Sequence, residues 1–162
     1  MLTDLSECPP RIAVELINCF FLRLPRPLLT RFDDFVTAAM HAPHKQLRTS
    51  AIRSLIDLHV TADRSLLVWL LALGVRLHEL GFPTHTHQNF ALRFAPSVFR
   101  QDVKKQRQMC GVLECFLTNF AEIFEAEDVK YMESSSSSAN VVHSAPIDRL
   151  IDKCLDHVRI KK

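Results

Sequence analysis

Phe20-Phe21-Leu22-Arg23-Leu24-Pro25-Arg26-Pro27-Leu28-Leu29 is the stretch on which the fold turns. Before it, Ile12 to Phe21 is apolar-periodic and predicts a helix over about 11–21, with Ile12, Leu16, Cys19 and Phe20 on one side. Pro25 and Pro27 then stop that helix, because proline has no N–H to donate and pushes the preceding residue out of the α region. The outcome is a stiff corner that aims Leu28, Leu29 and Phe32 at whatever the helix packs on.

Outward from the corner the punctuation is helical throughout. Asp33 to Met40 predicts a short helix closed by His41-Ala42-Pro43, and Lys45 to Leu58 predicts a third helix carrying Leu47, Ile52, Leu55, Ile56 and Leu58. Thr61-Ala62-Asp63 offers an N-cap for a long helix to Leu80, with stripe Leu66, Leu67, Leu70, Leu71, Gly74 and Leu77 and with Gly81 at C′. Gly74, inside an apolar run, marks a close helix–helix approach rather than a break. Thr84 or Thr86 caps the next helix, through Asn89, Phe90, Ala91, Phe94 and Ala95, and Pro96 is expected to break it. The last core helix follows the basic Lys104–Arg107 and carries Val112, Leu113, Phe116, Leu117, Phe120, Ile123 and Phe124. Acidic residues Glu122, Glu125, Glu127 and Asp128 sit at the end where the helix dipole disfavours them, so fraying is expected there.

The implied organisation is a polar lead-in 1–9, a helical domain 10–130, a linker 131–145 around Ser134–Ser138, and an amphipathic tail helix 146–162. The tail's apolar residues, Ile147, Leu150, Ile151, Cys154, Leu155 and Val158, could fold back on the bundle, dimerise, or make a peripheral membrane contact beside Arg159, Lys161 and Lys162. Because a short isolated helix is marginal in water, fold-back or disorder is the expected state.

Composition narrows the function classes. With 162 residues, 48% apolar, only three Gly and eleven Phe, the chain reads as an all-α globular domain cored by Phe and Leu. Net charge +2 is too small to argue for nucleic acid, where a basic face and a high pI are expected. The longest apolar run, Leu66 to Val75, is half a membrane span, so no transmembrane segment is expected. Residues 1–11 lack the charged and apolar regions of a signal peptide. Five cysteines without a Cys-x-x-Cys suit a reducing, cytoplasmic location better than a disulfide framework. The close pairs His41/His44 and His85/His87 have no acidic or Cys partner at a matching spacing, so neither metal nor cofactor is expected. There is no Gly-x-Ser-x-Gly elbow and no Cys–His arrangement, so no catalytic residue is assigned and the chain is not read as an enzyme.

Two segments carry a family resemblance. Phe21–Leu29, F-L-R-L-P-R-P-L-L, resembles the L-R-E-L-P-E-P-L-L stretch of RhoGAP domains, and Asn89–Arg100, N-F-A-L-R-F-A-P-S-V-F-R, resembles their N-L-A-I-V-F-G-P-T-L-L-R. Between them Leu55–Leu70 is similar to L-P-x-x-N-x-x-x-L-x-x-L, with Asp63 near the Asn position. The resemblance covers residues ~12 to ~125 in order. It implies a helical bundle of about six core helices plus the tail helix, and a partner that is a GTP-bound Rho-family small GTPase. It further implies GTPase contacts at Arg23, Asn89, Arg26 and Arg93.

In that family an arginine in a G-x-x-R-x-x-G loop, ahead of the first matched segment, neutralises charge on the transferring phosphoryl group. Gly74, Gly81 and Gly111 fall in or beside helices, so no such loop is found in this chain; a Gly-x-x-Arg pattern upstream of Met1 in the transcript would supply one. The family also has a Lys and, four residues on, an Arg in its first matched helix. Ungapped alignment on Leu24-Pro25 places Asn18 and Leu22 there, while a one-residue deletion places Cys19 and Arg23, the choice favoured for the arginine. The alternative to a GTPase module is a helical interaction scaffold with a non-GTPase partner.

Overall fold

The computed structural model describes residues 10–81 and 86–124. The lead-in, Thr84, the serine linker, the end of the last core helix beyond Phe124 and the tail helix lie outside the described residues.

The described chain is all-α: α1 (Pro10–Arg23), α2 (Phe32–Val36) continued by a π turn (Thr37–His41), α3 (Lys45–Asp57), α4 (Thr61–Glu79), α5 (His87–Phe99), a 3-10 turn (Val103–Lys105), α6 (Gln106–Thr118) and α7 (Phe120–Ile123). No strand occurs among the described residues. Helix α6 is the hub, packing on α5, α4, α2 and the π turn, and Met109, Cys110, Val112, Leu113, Phe116 and Leu117 are all buried along it. Helix α1 lies against α5 at one side of the bundle, and α7 closes the other side against α3 and α4. The centre is a Phe cluster: Phe35 has its ring centroid 5.6 Å from Phe116 and 6.5 Å from Phe99, and all three are fully buried.

Several local expectations hold in detail. Arg23 ends α1 two residues short of Pro25, where the missing N–H would otherwise interrupt the ladder. Gly81 adopts φ +71, the left-handed conformation of a C′ glycine. Thr86 caps α5, its Oγ1 accepting the Asn89 N–H at 3.2 Å. At Gly74 an added Cβ would lie 2.7 Å from Leu117 Cδ2 and 3.0 Å from the Phe90 ring, so the close approach is real and involves both α5 and α6.

Other expectations are corrected. The α1 stripe Ile12, Leu16, Cys19 and Phe20 shares one side, but that side faces solvent; Ile17 and Phe21 enter the core with half-buried Val14 and Leu24. Apolar residues on both sides of α1 give two competing stripes, and the corner selects the one continuous with buried Leu28 and Leu29. Leu47 and Leu58 are exposed, and α3 instead buries Thr49, Ile52 and Ile56. Thr61 is the first residue of α4, not its cap. Pro96 does not break α5, which continues to Phe99. The residue four before it, Leu92, lies on the exposed side, where water can take up the carbonyl that loses its partner. The last core helix is interrupted at Asn119 (φ −114, ψ 26), whose side-chain amide donates to the Cys115 carbonyl at 2.8 Å. Arg53 then donates to the carbonyls of Glu122 (2.7 Å) and Ile123 (3.0 Å), satisfying the end of α7.

Candidate partner-binding surface

The proline corner is bolted to three parts of the bundle. Leu24 N–H reaches the Phe21 carbonyl at 3.4 Å, and the Arg100 guanidinium donates to the same carbonyl. Leu29 N–H donates to the Val98 carbonyl at 3.3 Å, so the chain leaving the corner is stitched to the end of α5. Thr30 N–H donates to His59 Nε2 at 3.2 Å while His59 Nδ1 lies 2.9 Å from the Leu55 carbonyl; this pattern selects the neutral Nδ1–H tautomer. Arg26 pairs with Asp63 on the first turn of α4 at 2.7 Å. The three segments that carry the family resemblance, distant in sequence, therefore meet at one corner.

Arg100 holds this arrangement from an unusual backbone. It is a non-glycine residue at φ 49, the C-cap of α5, with its own N–H donating to the Pro96 carbonyl at 3.0 Å. That conformation is costly for a residue with a Cβ, and here it turns the guanidinium toward α1.

The four residues assigned as partner contacts are all exposed, but they do not form one cluster. Arg93 pairs with Glu15 at 2.5 Å and Arg100 reaches Phe21, so α1 and α5 run parallel, with Glu15 level with Arg93 and Phe21 level with Arg100. On that register Arg23 and Asn89 sit at opposite ends of the helix pair, roughly 20 Å apart along the axis at 1.5 Å per residue. Arg23 and Arg26 form the corner end; Asn89 and Arg93, four apart on α5, form the other. Arg26 and Arg93 are each held by a carboxylate, whereas Arg23 has no ion pair among the described residues. Leu22 and Asn18 follow Glu15 at i+7 and i+3 and so share its flank of α1, where Leu22 is 49% exposed, while Arg23 stands at the end of the Ile12-Leu16-Cys19 seam.

Elsewhere the titratable groups read as structural. Burial pushes the Cys110 thiol up, as does the Glu114 carboxylate, and burial likewise raises Cys115 against the opposing pull of Arg48 and Asn119. His78 and His87 lie side by side, with ring centroids 4.1 Å apart and planes tilted by 43°. Burial chiefly, and the neighbouring His78, lower the His87 pKa against the pull of Glu114, and Nε2 of His87 is buried with no hydrogen-bond partner among the described residues. No three His, Cys, Asp or Glu side chains among the described residues converge on a metal-sized site. No helix among them is long and apolar enough to cross a membrane. The interhelical ties Glu15–Arg93 and Arg100–Phe21, which define this surface, had no signal in the sequence beyond the presence of the charges.

No protein-family model matches the chain, so the RhoGAP resemblance rests on its motifs alone. A Ras guanine nucleotide exchange factor of Dictyostelium discoideum, glfB, is 27% identical over 158 residues, covering 91% of this chain. The chain spans 10% of that protein's length, so the likeness is to one segment of a much larger regulator.

Proposed function

We infer that the chain is a regulatory module that binds a small GTPase through the exposed side of α1, the proline corner and α5. The observation that carries this is the corner itself. The segments that resemble the RhoGAP motifs are joined there by Leu29–Val98, Arg100–Phe21 and Arg26–Asp63, and they leave the Arg23 guanidinium exposed without an ion pair among the described residues. A guanidinium in that position can form paired hydrogen bonds with a carboxylate of a partner or with a phosphate oxygen. The likeness to a segment of a Ras exchange factor supports a small GTPase as the partner class. The motif resemblance favours a GTP-bound Rho-family member. Gly74 and Gly111 lie within helices and Gly81 follows α4, so none of the three sits in a glycine-flanked arginine loop, and the role read for this segment is binding.

The test is binding of the chain to Rho- and Ras-family GTPases loaded with GDP or a non-hydrolysable GTP analogue, alongside GTP hydrolysis and nucleotide-exchange rates with and without it. The expected result is nucleotide-dependent binding to a Rho-family GTPase with hydrolysis near its intrinsic rate. Acceleration by orders of magnitude would overturn the arginine-free reading, and Ras-only binding would overturn the Rho assignment. No binding to either family would leave the scaffold with a non-GTPase partner.

A further inference from the structure

Three interhelical connections share the corner end of the bundle. Thr30, leaving the corner, is held by His59 between α3 and α4, and Arg26 is tied to Asp63 at the start of α4. Leu29 is stitched to Val98 near the end of α5, and Lys105, in the turn before α6, reaches Asp33 at 2.8 Å. Two of these connections leave aliphatic side chains in water. Leu58 and Val60 flank His59 at 65% and 51% exposure, and Val103 in the α5–α6 connection is 79% exposed.

The charges at this end do not balance. Its carboxylates are all engaged: Asp33 with Lys105, Asp34 with Arg31, Asp57 with Arg64 and Asp63 with Arg26, while Asp102 accepts the Lys104 N–H. Arg23, Lys104 and Arg107 have no ion pair among the described residues. Lys104 and Arg107 also stand at the start of α6, where the helix dipole disfavours cations, so helix stability does not account for them. We propose that this end of the bundle docks on an anionic lipid surface. Leu58, Val60 and Val103 enter the headgroup boundary, and Arg23, Lys104 and Arg107 face the acidic headgroups. Exposed aliphatic side chains beside unneutralised cations suit a bilayer, which offers hydrocarbon and negative charge together. A soluble polyanion offers only the charge and leaves the aliphatic side chains in water. At about fivefold per cation, the three give roughly a hundredfold preference for an anionic over a neutral surface. Docking of this kind needs no GTPase, and Arg23 belongs to both surfaces, so a bilayer and a GTPase compete for it.

Flotation of the full chain, with no GTPase present, on phosphatidylcholine vesicles with or without about 30% phosphatidylserine tests the docking apart from the proposed function. The expected result is binding roughly a hundredfold tighter to the anionic vesicles, largely lost in about 0.5 M salt. Lys104→Gln/Arg107→Gln should weaken it about 30-fold, and Leu58→Ser/Val60→Ser/Val103→Ser at least about tenfold. All five positions are exposed, so circular dichroism should show both variants folded. Arg159→Gln/Lys161→Gln/Lys162→Gln should keep most of the binding. Loss of binding in that tail variant with full binding in the other two would place the lipid contact in the tail and overturn the proposal. So would equal binding to neutral and anionic vesicles, or binding to soluble polyglutamate as tight as to anionic vesicles, which would mean an acidic peptide partner.

Discussion

Gly74→Ala places a methyl group where α4 crosses α5 and α6. Its Cβ would stand 2.7 Å from Leu117 Cδ2 and 3.0 and 3.1 Å from two carbons of the Phe90 ring. Ordinary carbon–carbon contact is about 3.5–4.0 Å, so Leu117 must retreat by about an ångström. It has nowhere to go, being 2% exposed and part of the buried core with Phe90. Overpacking of this kind costs about 1–3 kcal/mol, and the better helix propensity of Ala returns about 1 kcal/mol. The net expectation is destabilisation by about 1 kcal/mol, or a melting temperature lower by about 3 °C. Chemical denaturation followed by far-UV circular dichroism measures it. Leu117→Ala sharpens the test: alone it should cost about 2–5 kcal/mol, but it removes the nearest clash and leaves space into which Phe90 can shift, so in that background Gly74→Ala should cost less than in the wild type. A wild-type chain stabilised by Gly74→Ala would refute the reasoning, because it would mean that propensity acts there without any close contact.

Four further outcomes follow from other sites. At Arg100, Gly should be tolerated better than Ala by about 1 kcal/mol, because Gly relieves the left-handed backbone while both substitutions lose the bond to Phe21; equal melting curves would contradict this. His87 has a native pKa below its ordinary 6.5, through burial first and then His78, so as pH falls below 6.5 the unfolded chain takes up a proton that the native chain refuses. Stability present above pH 6.5 should therefore be lost toward the lowered native value, and His87→Phe should flatten that part of a urea-midpoint series across pH. For partner binding, Arg23→Ala should weaken affinity by about 1–2 kcal/mol in isothermal titration with a GTPase. Arg26→Ala gives up an ion pair that is open on the arginine side, 55% exposed, but sheltered at Asp63, 16% exposed, and should lower folding stability by about 1 kcal/mol.

What the sequence revealed was what single residues dictate. Pro25 and Pro27 end a helix wherever they stand, Gly81 suits a left-handed cap, and Gly74 in an apolar run signals a close approach; each is found. What stayed hidden depended on comparing surfaces. Helix α1 carries Ile12-Leu16-Cys19-Phe20 on one side and Val14-Ile17-Phe21-Leu24 on another, and only the packing of the corner decides between them. Pro96 leaves α5 unbroken because its effect depends on whether the carbonyl four residues earlier can reach water, which residue type alone does not reveal. The stripe over α6 and α7 reads as one helix because its spacing survives the interruption at Asn119, which is set by a local side-chain bond to Cys115. The candidate surface was legible as residue types, but its extent was not. The parallel register of α1 and α5, which separates Arg23 from Asn89, is fixed by contacts across 78 and 79 residues of chain.

Those long separations bear on how the protein is made. Helix α1 leaves the ribosome well before the α5 residues that hold it, and at about 5–20 residues per second the interval is roughly 4–16 s. Through that time both its apolar sides are uncovered, Phe21 as well as Phe20, and no local partner can shield them. The nascent chain should therefore be a ready client for a ribosome-associated chaperone until Arg100 has emerged. Synonymous changes that slow translation between α1 and α5 should lower the yield of folded protein without altering a single residue of it.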